Sequence, residues 1–381
     1  MPLTASHGRV LAEDVRAETN VPPFANSAMD GYAVLAADVR TASAAQPVRL
    51  RVAGEIRAGA APPGRVTPGS TLRIMTGAML PDGADAVVRV EDTRELNGYV
   101  EIRVGVEPGT SLRGAGTDLQ KGDGVATKGR VITPGLVGVL ASAGRTTVLC
   151  VKRPRVFVLT TGDELREAGE ALGPGQITNT SRYTLHAAIE EAGGEVIDAG
   201  VARDEGNELV DRLRKGSDAD LLITTGGVSM GAYDLVRRLM ESKQRVDFWQ
   251  VSLRPGKPLL FGELDGVPMI GLPGNPVSTL VCFELFVRPA LLKQQGRTNL
   301  ERQRLRAITE DALSNPPHLE QYFRGIARRQ ADRILVRLTG DQGSHVLRSM
   351  ADANCFIVVQ QGTSEVPAGT TVDIIPLAPI E

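Results

Sequence analysis

At 381 residues, with 42% hydrophobic and 23% charged side chains and a formal net charge of −2, the chain has the composition of a folded protein, not a disordered one. Its length exceeds a single ordinary core, so several domains are expected at about 150 residues apiece. The balanced charge supplies no bulk positive field and the 4% aromatic content leaves little for base stacking, so no nucleic-acid partner is expected.

The chain opens without a long helical pattern and passes into Val21-Pro22-Pro23-Phe24, which its prolines hold extended as a link between modules. Asn26-Ser27-Ala28-Met29-Asp30-Gly31-Tyr32 follows. Its Asp-Gly step signals a turn, and its small polar groups could meet a ligand, although a bare turn needs none.

Between Val48 and Val104 the runs VRLRVAGEI, STLRIMTGA, DAVVRVEDT and YVEIRVGV alternate apolar and polar residues between glycine, proline and aspartate, the pattern of a small β module. Two polar glycine turns accompany them, one at Thr76-Gly77 and one over Arg113 to Asp118. A short strand is expected after Lys121, a helix over Pro134 to Ala143, and a strand over Thr147 to Val151.

From Arg155 strand-like runs alternate with helix-length segments, as a parallel α/β layer requires. VFVLTTGDEL precedes a helix over Tyr183 to Ala192, EVIDAGVARDE one over Asn207 to Lys215, and LLITTGGVSMGAYD one over Leu235 to Met240. LLFGEL, VPMIGLPGNPVS and a helix near Thr279 to Gln294 complete a doubly wound domain. The stretch Leu221 to Tyr233 reads as strand, glycine turn and helix, which suits an anion because glycines admit positive φ and let backbone N–H groups converge. A tight turn without a ligand fits the same residues.

In such sheets ligands sit beyond the carboxyl ends of the strands. There the sequence places Thr161-Gly162-Asp163-Glu164, Arg203-Asp204-Glu205, Thr225-Gly226-Gly227 with Asp234, Arg254-Pro255-Gly256-Lys257-Pro258, and Pro273-Gly274-Asn275-Pro276-Val277-Ser278. Carboxylates, glycine turns and cations on one rim are the inventory for a magnesium-bound phosphate ester. Each acid alone would read as a solvated loop charge or a helix cap.

The last region, Arg302 to Glu381, returns to short strands and reads as a β-barrel or sandwich, with Arg324 and the turn Gly340 to His345 as its most ligand-like pieces. His345 has no second histidine at partnering spacing, so no zinc site is expected. Cys150, Cys282 and Cys355 are far apart in apolar contexts and read as core residues of a cytoplasmic protein. No run of about 18 apolar residues suggests a membrane span, and no membrane partner is expected.

In order, NSAMDGYA, RIMTGA, TTGDEL, TTGGVSMG, RPGKP and GLPGNPVS resemble the molybdopterin molybdenumtransferase family, which includes the E-domain of gephyrin, over nearly the whole chain. The resemblance implies a central α/β domain of the molybdopterin-binding type over residues 153–298 and a small β-rich subdomain over 23–118. It also implies an elongated mixed dimerisation subdomain from 1–22 plus 119–152, and a C-terminal β-barrel over 299–381. The implied activity is insertion of molybdate into adenylylated molybdopterin, with Mg²⁺-dependent hydrolysis and release of AMP. The implied partners are a second copy of the chain, a molybdopterin adenylyltransferase and downstream cofactor-processing proteins.

Carried over by position, Glu164, Asp204 and Asp234 match the acids around the adenylate, with Asp204 and Asp234 as magnesium ligands. Gly226, Gly227 and Ser229 match the pterin-phosphate turn. Arg254, Lys257, Ser278, Arg324 and Ser344 match the molybdate pocket, and Pro273, Asn275 and Pro276 match the rigid turn beside it. Asp30, Thr76 and Asp118 match functional loop positions of the β module.

Three departures stand out. Arg254 replaces a lysine frequent in the family, Thr178-Asn179-Thr180-Ser181 replaces a pattern closer to aromatic, Asp/Asn, Ser, Asn, and the family's leading helical segment is not seen, which implies a trimmed dimerisation subdomain. The alternatives are a binding or scaffold paralogue of the gephyrin type, a pterin adenylyltransferase, and a paralogue that inserts tungstate.

Overall fold

The computed structural model describes residues 1–202, 211–226 and 246–381. The chain divides into two compact units, Met1–Cys150 and Val151–Glu381.

In the first unit a six-stranded sheet runs in the order Ala86–Arg89, Gly31–Val34, Ser70–Ile74, Val48–Ile56, Tyr99–Ile102, Thr93–Leu96. All its pairings are antiparallel except that between Val48–Ile56 and Ser70–Ile74. Because side chains alternate along a strand, the sheet buries two faces. Tyr32, Val34, Leu50, Val88, Val100 and Ile102 fill one core, and Ala33, Ile56, Leu72, Ile74 and Val87 fill the other.

A separate core joins Leu3, Leu11 and Val15 to Ile132, Leu136, Leu140 and Val148. Its helix, Pro134–Ser142, starts with proline at the first turn and Thr133 as N-cap, whose hydroxyl accepts from Leu136 N. The strand expected over Thr147 to Val151 is not formed. Thr147 and Cys150 make only isolated bridges, to Pro2 and Leu11, because their partners are short loop segments.

The second unit contains a six-stranded sheet in the order Glu195–Ala202, Arg155–Thr161, Leu221–Thr225, Val267–Leu272, Pro258–Leu264, Val246–Gln250. The first four strands are parallel and the last two antiparallel. Asp265 and Gly266, at φ 50 and 85, turn the chain between Pro258–Leu264 and Val267–Leu272, the two positive φ values that a tight hairpin needs.

One face of the sheet, with Val156, Val158, Ile223 and Ile270, packs on Leu185 and Ile189 of the helix Thr180–Glu191 and on Val277, Val281 and Leu291. Those last residues belong to the helical segments Pro276–Cys282, Phe283–Val287 and Arg288–Gln294, the middle one a π turn. The sequence reading placed the start of this helix three residues late, because Pro276 sits at the first turn where proline is tolerated.

Five strands close a barrel in the C-terminal part: Glu320–Gln330, Arg333–Leu338, Leu305–Thr309, Thr371–Pro376 and Cys355–Val359, which pairs back onto Glu320–Gln330. Leu253–Arg254 adds to its edge, parallel to Glu320 and Gln321. Tyr322, Phe356 and Val358 of the barrel share the core of the α/β layer, so barrel and layer are packed together. The architecture is thus α/β and β multidomain, as the motifs implied.

Candidate active site

Three neighbouring strand ends form the floor of the site. Gly226 follows Leu221–Thr225 at φ 86, and a Cβ there would lie 2.1 Å from the Thr161 carbonyl oxygen at the end of the adjacent strand. Only glycine fits this approach. Across the other neighbour, a Cβ on Gly274 would stand 3.3 Å from Gly226 Cα. Thr161 donates from Oγ1 to the Thr225 carbonyl at 3.3 Å, tying two of the ends together.

The helix Thr180–Glu191 begins on the same rim. Asn179, 1% exposed, caps it by accepting from Arg182 N at 3.3 Å, and its amide donates to Thr160 Oγ1 at 2.8 Å. One buried carboxamide therefore satisfies a helix terminus and fixes the helix start against the Arg155–Thr161 strand. Above this floor opens a cavity of about 610 Å³ whose lining includes Glu164, Asn179, Ser181, Gly226, Asn275 and Ser278. Glu164 brings an exposed carboxylate to its edge, and His345 lines it as well.

A second cavity, about 320 Å³, shares Pro258 and Ser278 with the first. Among the described residues Arg254, Lys257 and Arg324 line it and no carboxylate does, so an anion entering it meets, among these, positive charge and neutral donors. The segment that carries Arg254 and Lys257 turns at Gly256, φ 117, where a Cβ would stand 2.5 Å from Cys282 Sγ. Burial pushes the Cys282 and Cys355 thiols up to about 12, which makes them inert core groups.

Arg324 is 1% exposed. Its Nε donates to Ser349 Oγ at 3.0 Å, and its Nη2 donates to the carbonyls of Gly343 at 3.1 Å and Asp341 at 3.4 Å. Burial lowers its pKa to about 10, partly offset by Asp341. The guanidinium thus orders the 341–344 loop as well as facing the cavity. That loop is fastened from the other side: Asn275 Nδ2 donates to Ser344 Oγ at 3.2 Å and Val277 N to the Ser344 carbonyl at 3.3 Å.

The expected residues distribute as follows. Glu164, Gly226, Pro273, Asn275, Pro276 and Ser278 line the larger cavity, and Arg254, Lys257, Ser278, Arg324 and Ser344 the smaller one. Asp204, Asp234, Gly227 and Ser229 lie outside the described residues, as do the helix expected at Leu235 to Met240 and the first four residues of the one expected over Asn207 to Lys215. Asp30, Thr76 and Asp118 belong to the first unit. There Thr76 donates to Asp30 Oδ1 from both N and Oγ1 at 2.7 Å, and these bonds hold the Asp30 carboxyl below its usual range. Asp118 is exposed, with its N–H donated to the Val21 carbonyl.

Sequence reasoning did not single out Thr161, Thr225, Pro258 or Gln321 as site residues, although the first three stood inside segments already placed beyond the strand ends. His345, at the end of the turn read as ligand-like, is exposed and lines the larger cavity. The missing signal was the packing of the barrel turn against the Pro276 helix start, which no local pattern encodes. Among the described residues no group of three or more His, Cys, Asp or Glu side chains is arranged to hold a metal ion, and no helix is long and apolar enough to cross a membrane.

Family models match almost end to end: the MoeA N-terminal region (domain I and II) over residues 1–144, the family described as "Probable molybdopterin binding domain" over 157–293, and the MoeA C-terminal region (domain IV) over 306–377. The chain is 39% identical over 378 residues to the molybdopterin molybdenumtransferase of Haemophilus influenzae, covering 98% of this chain and 92% of that one. It is 39% identical over 381 residues to molybdopterin molybdenumtransferase 2 of Mycobacterium tuberculosis, covering 98% and 94%. A crystal structure of the molybdopterin biosynthesis MoeA protein from Pyrococcus horikoshii OT3 superposes with TM-score 0.83 at 29% identity, covering 99% of this chain and 93% of that one.

Proposed function

Because the chain belongs to the molybdopterin molybdenumtransferase family, a transferase family of molybdenum cofactor biosynthesis, we propose that it inserts molybdenum into adenylylated molybdopterin and releases AMP. The observation that carries this reading is the pair of cavities joined at Ser278 and Pro258. One has the size and the mostly polar lining, with the Glu164 carboxylate at its edge, for a pterin nucleotide, and the other has the cations for a tetrahedral oxyanion. Their junction brings the two substrates within reach of each other.

In this reading the strand-end backbone at Thr225-Gly226 receives the pterin phosphate, because a glycine at positive φ lets the backbone approach a ligand closely. Arg254 and Lys257 draw molybdate into the smaller cavity, and the buried Arg324 keeps Ser344 in position to donate to it. Ser278, common to both cavities, sits where the oxyanion meets the pterin sulfurs. The chain's residues thus supply binding and orientation, and no side-chain nucleophile is needed.

Magnesium dependence is part of the proposal. The fit to Mg²⁺ is partial among the described residues, since Glu164 is the one carboxylate lining the larger cavity. Its proposed ligands Asp204 and Asp234 lie outside those residues, so no step is routed through the ion. When bound, it would neutralise phosphate charge through a few carboxylates and water.

The subdomain limits at 22/23, 118/119, 152/153 and 298/299 remain part of the proposal, as do Asp30, Thr76 and Asp118 as loop contributors. So do a cytoplasmic homodimer and hand-over from a molybdopterin adenylyltransferase. The test is reconstitution: the protein, adenylylated molybdopterin, Mg²⁺ and molybdate should yield cofactor that activates a cofactor-free molybdoenzyme. Failure with a folded protein that still binds the pterin nucleotide would make it a binding paralogue.

A further inference from the structure

The strand Glu320–Gln330 carries Arg324 to the smaller cavity at a point where its sheet runs out on one side. Toward Cys355–Val359 the ladder continues, with Arg324 opposite Phe356. Toward Arg333–Leu338 it ends at the pair Gly325 and Leu338, next to Arg324. Beyond that end Thr339 N still donates to the Arg324 carbonyl at 3.1 Å, but the Arg324 N–H is taken by a side chain: Gln342 Oε1 accepts from it at 2.8 Å. The same carboxamide donates from Nε2 to the Arg324 carbonyl at 3.2 Å, to Thr339 Oγ1 at 3.2 Å and to the Gly340 carbonyl at 3.1 Å. Gln342 thus stands in for a strand partner and holds both main-chain groups of one residue.

The hold is mutual. The carbonyls on either side of Gln342, those of Asp341 and Gly343, accept from Arg324 Nη2, and the following Ser344 lines the cavity with Arg324. One carboxamide therefore sets the point from which the guanidinium leaves its strand and, through the loop, the place of the Ser344 hydroxyl. Gln342 lines the cavity as well. Its oxygen is bonded to Arg324 N, however, and its amide N–H groups have three acceptors within the protein, so its polar atoms are already committed. Donors that meet a tetrahedral anion work only when held close to the right geometry, which is the task of the residues behind them.

We propose that Gln342 is a positioning residue of the oxyanion pocket, which acts on molybdate through Arg324 and Ser344 without touching it. This rests on the assignment of the smaller cavity to molybdate.

The test uses the full-length chain with Gln342→Met, Thr339→Val and Lys257→Ala. Dissociation constants for molybdate and for the pterin nucleotide are measured by equilibrium dialysis, and unfolding is followed by temperature. Gln342→Met keeps the side-chain length and removes every bond of the carboxamide. It is expected to bind molybdate at least about fivefold more weakly, with nucleotide affinity within about twofold of the unchanged protein's. Thr339 lines neither cavity but completes the same clamp, so Thr339→Val should weaken molybdate binding about twofold. A lower unfolding temperature with molybdate affinity unchanged, or an equal loss of both ligands, makes Gln342 a structural residue only and overturns the proposal. Weakened binding in Gln342→Met with none in Thr339→Val indicates direct contact and overturns it as well. In all these cases Lys257→Ala still weakens molybdate binding and the cavity assignment stands. Absence of molybdate binding by the unchanged protein, or no effect of Lys257→Ala, removes that assignment and the role of Gln342 with it.

Discussion

Asn275 donates from Nδ2 to Ser344 Oγ at 3.2 Å, which joins the loop after one sheet strand to a turn of the barrel. The two residues line different cavities, so this bond couples the pterin side of the site to the oxyanion side. Ser344→Ala removes the hydroxyl but keeps the carbonyl that accepts from Val277 N. Stability should fall by no more than about 1 kcal/mol, while molybdate affinity falls about three- to tenfold. Thermal unfolding and dialysis against molybdate read the two effects separately.

Arg324 should behave differently. It is 1% exposed and donates to Ser349 Oγ and to two backbone carbonyls. Arg324→Met strips those acceptors of their donor, and we expect a loss of about 2–4 kcal/mol in urea unfolding. Molybdate binding should be lost as well, because the cavity loses a cation and the 341–344 loop loses one of its fastenings.

Gly226→Ala tests the floor of the site. The substitution forces a side chain into the left-handed region at φ 86 and toward a carbonyl oxygen that its Cβ would approach to 2.1 Å. The expected cost is about 2 kcal/mol or more, with weakened binding of the pterin nucleotide. A variant as stable as the parent would contradict the described turn.

Acid stability carries a signature of Asp198. Burial alone would raise its pKa, but hydrogen bonds from Arg182 and Gly200 N outweigh that and leave it lowered. A carboxyl whose folded pKa lies below its unfolded value contributes stability that is complete above the usual carboxylate range and is lost as pH falls through the folded pKa. Asp198→Asn should therefore be less stable near neutrality, and the difference from the parent should shrink below about pH 4. Unfolding at a series of pH values checks this.

Much of this was legible in the chain because it is written in local rules. Alternation gave the strands of the 48–102 module, the strand–turn–helix order gave the α/β layer, and Gly226 marked a backbone that no other residue could adopt. What the sequence hid depends on packing between distant segments. Asn179 Nδ2 reaches Thr160, and Gln321 comes beside Arg254 through a two-residue edge pairing. The expected strand at Thr147 to Val151 failed for the same kind of reason, since an apolar run becomes a strand only where a neighbour offers a ladder.

The most direct measurement of the central claim is AMP release from adenylylated molybdopterin with Mg²⁺, with and without molybdate. The account predicts release that depends on molybdate, yields active cofactor, and is sharply reduced in Lys257→Ala. Release indifferent to molybdate, with no cofactor formed, would contradict it.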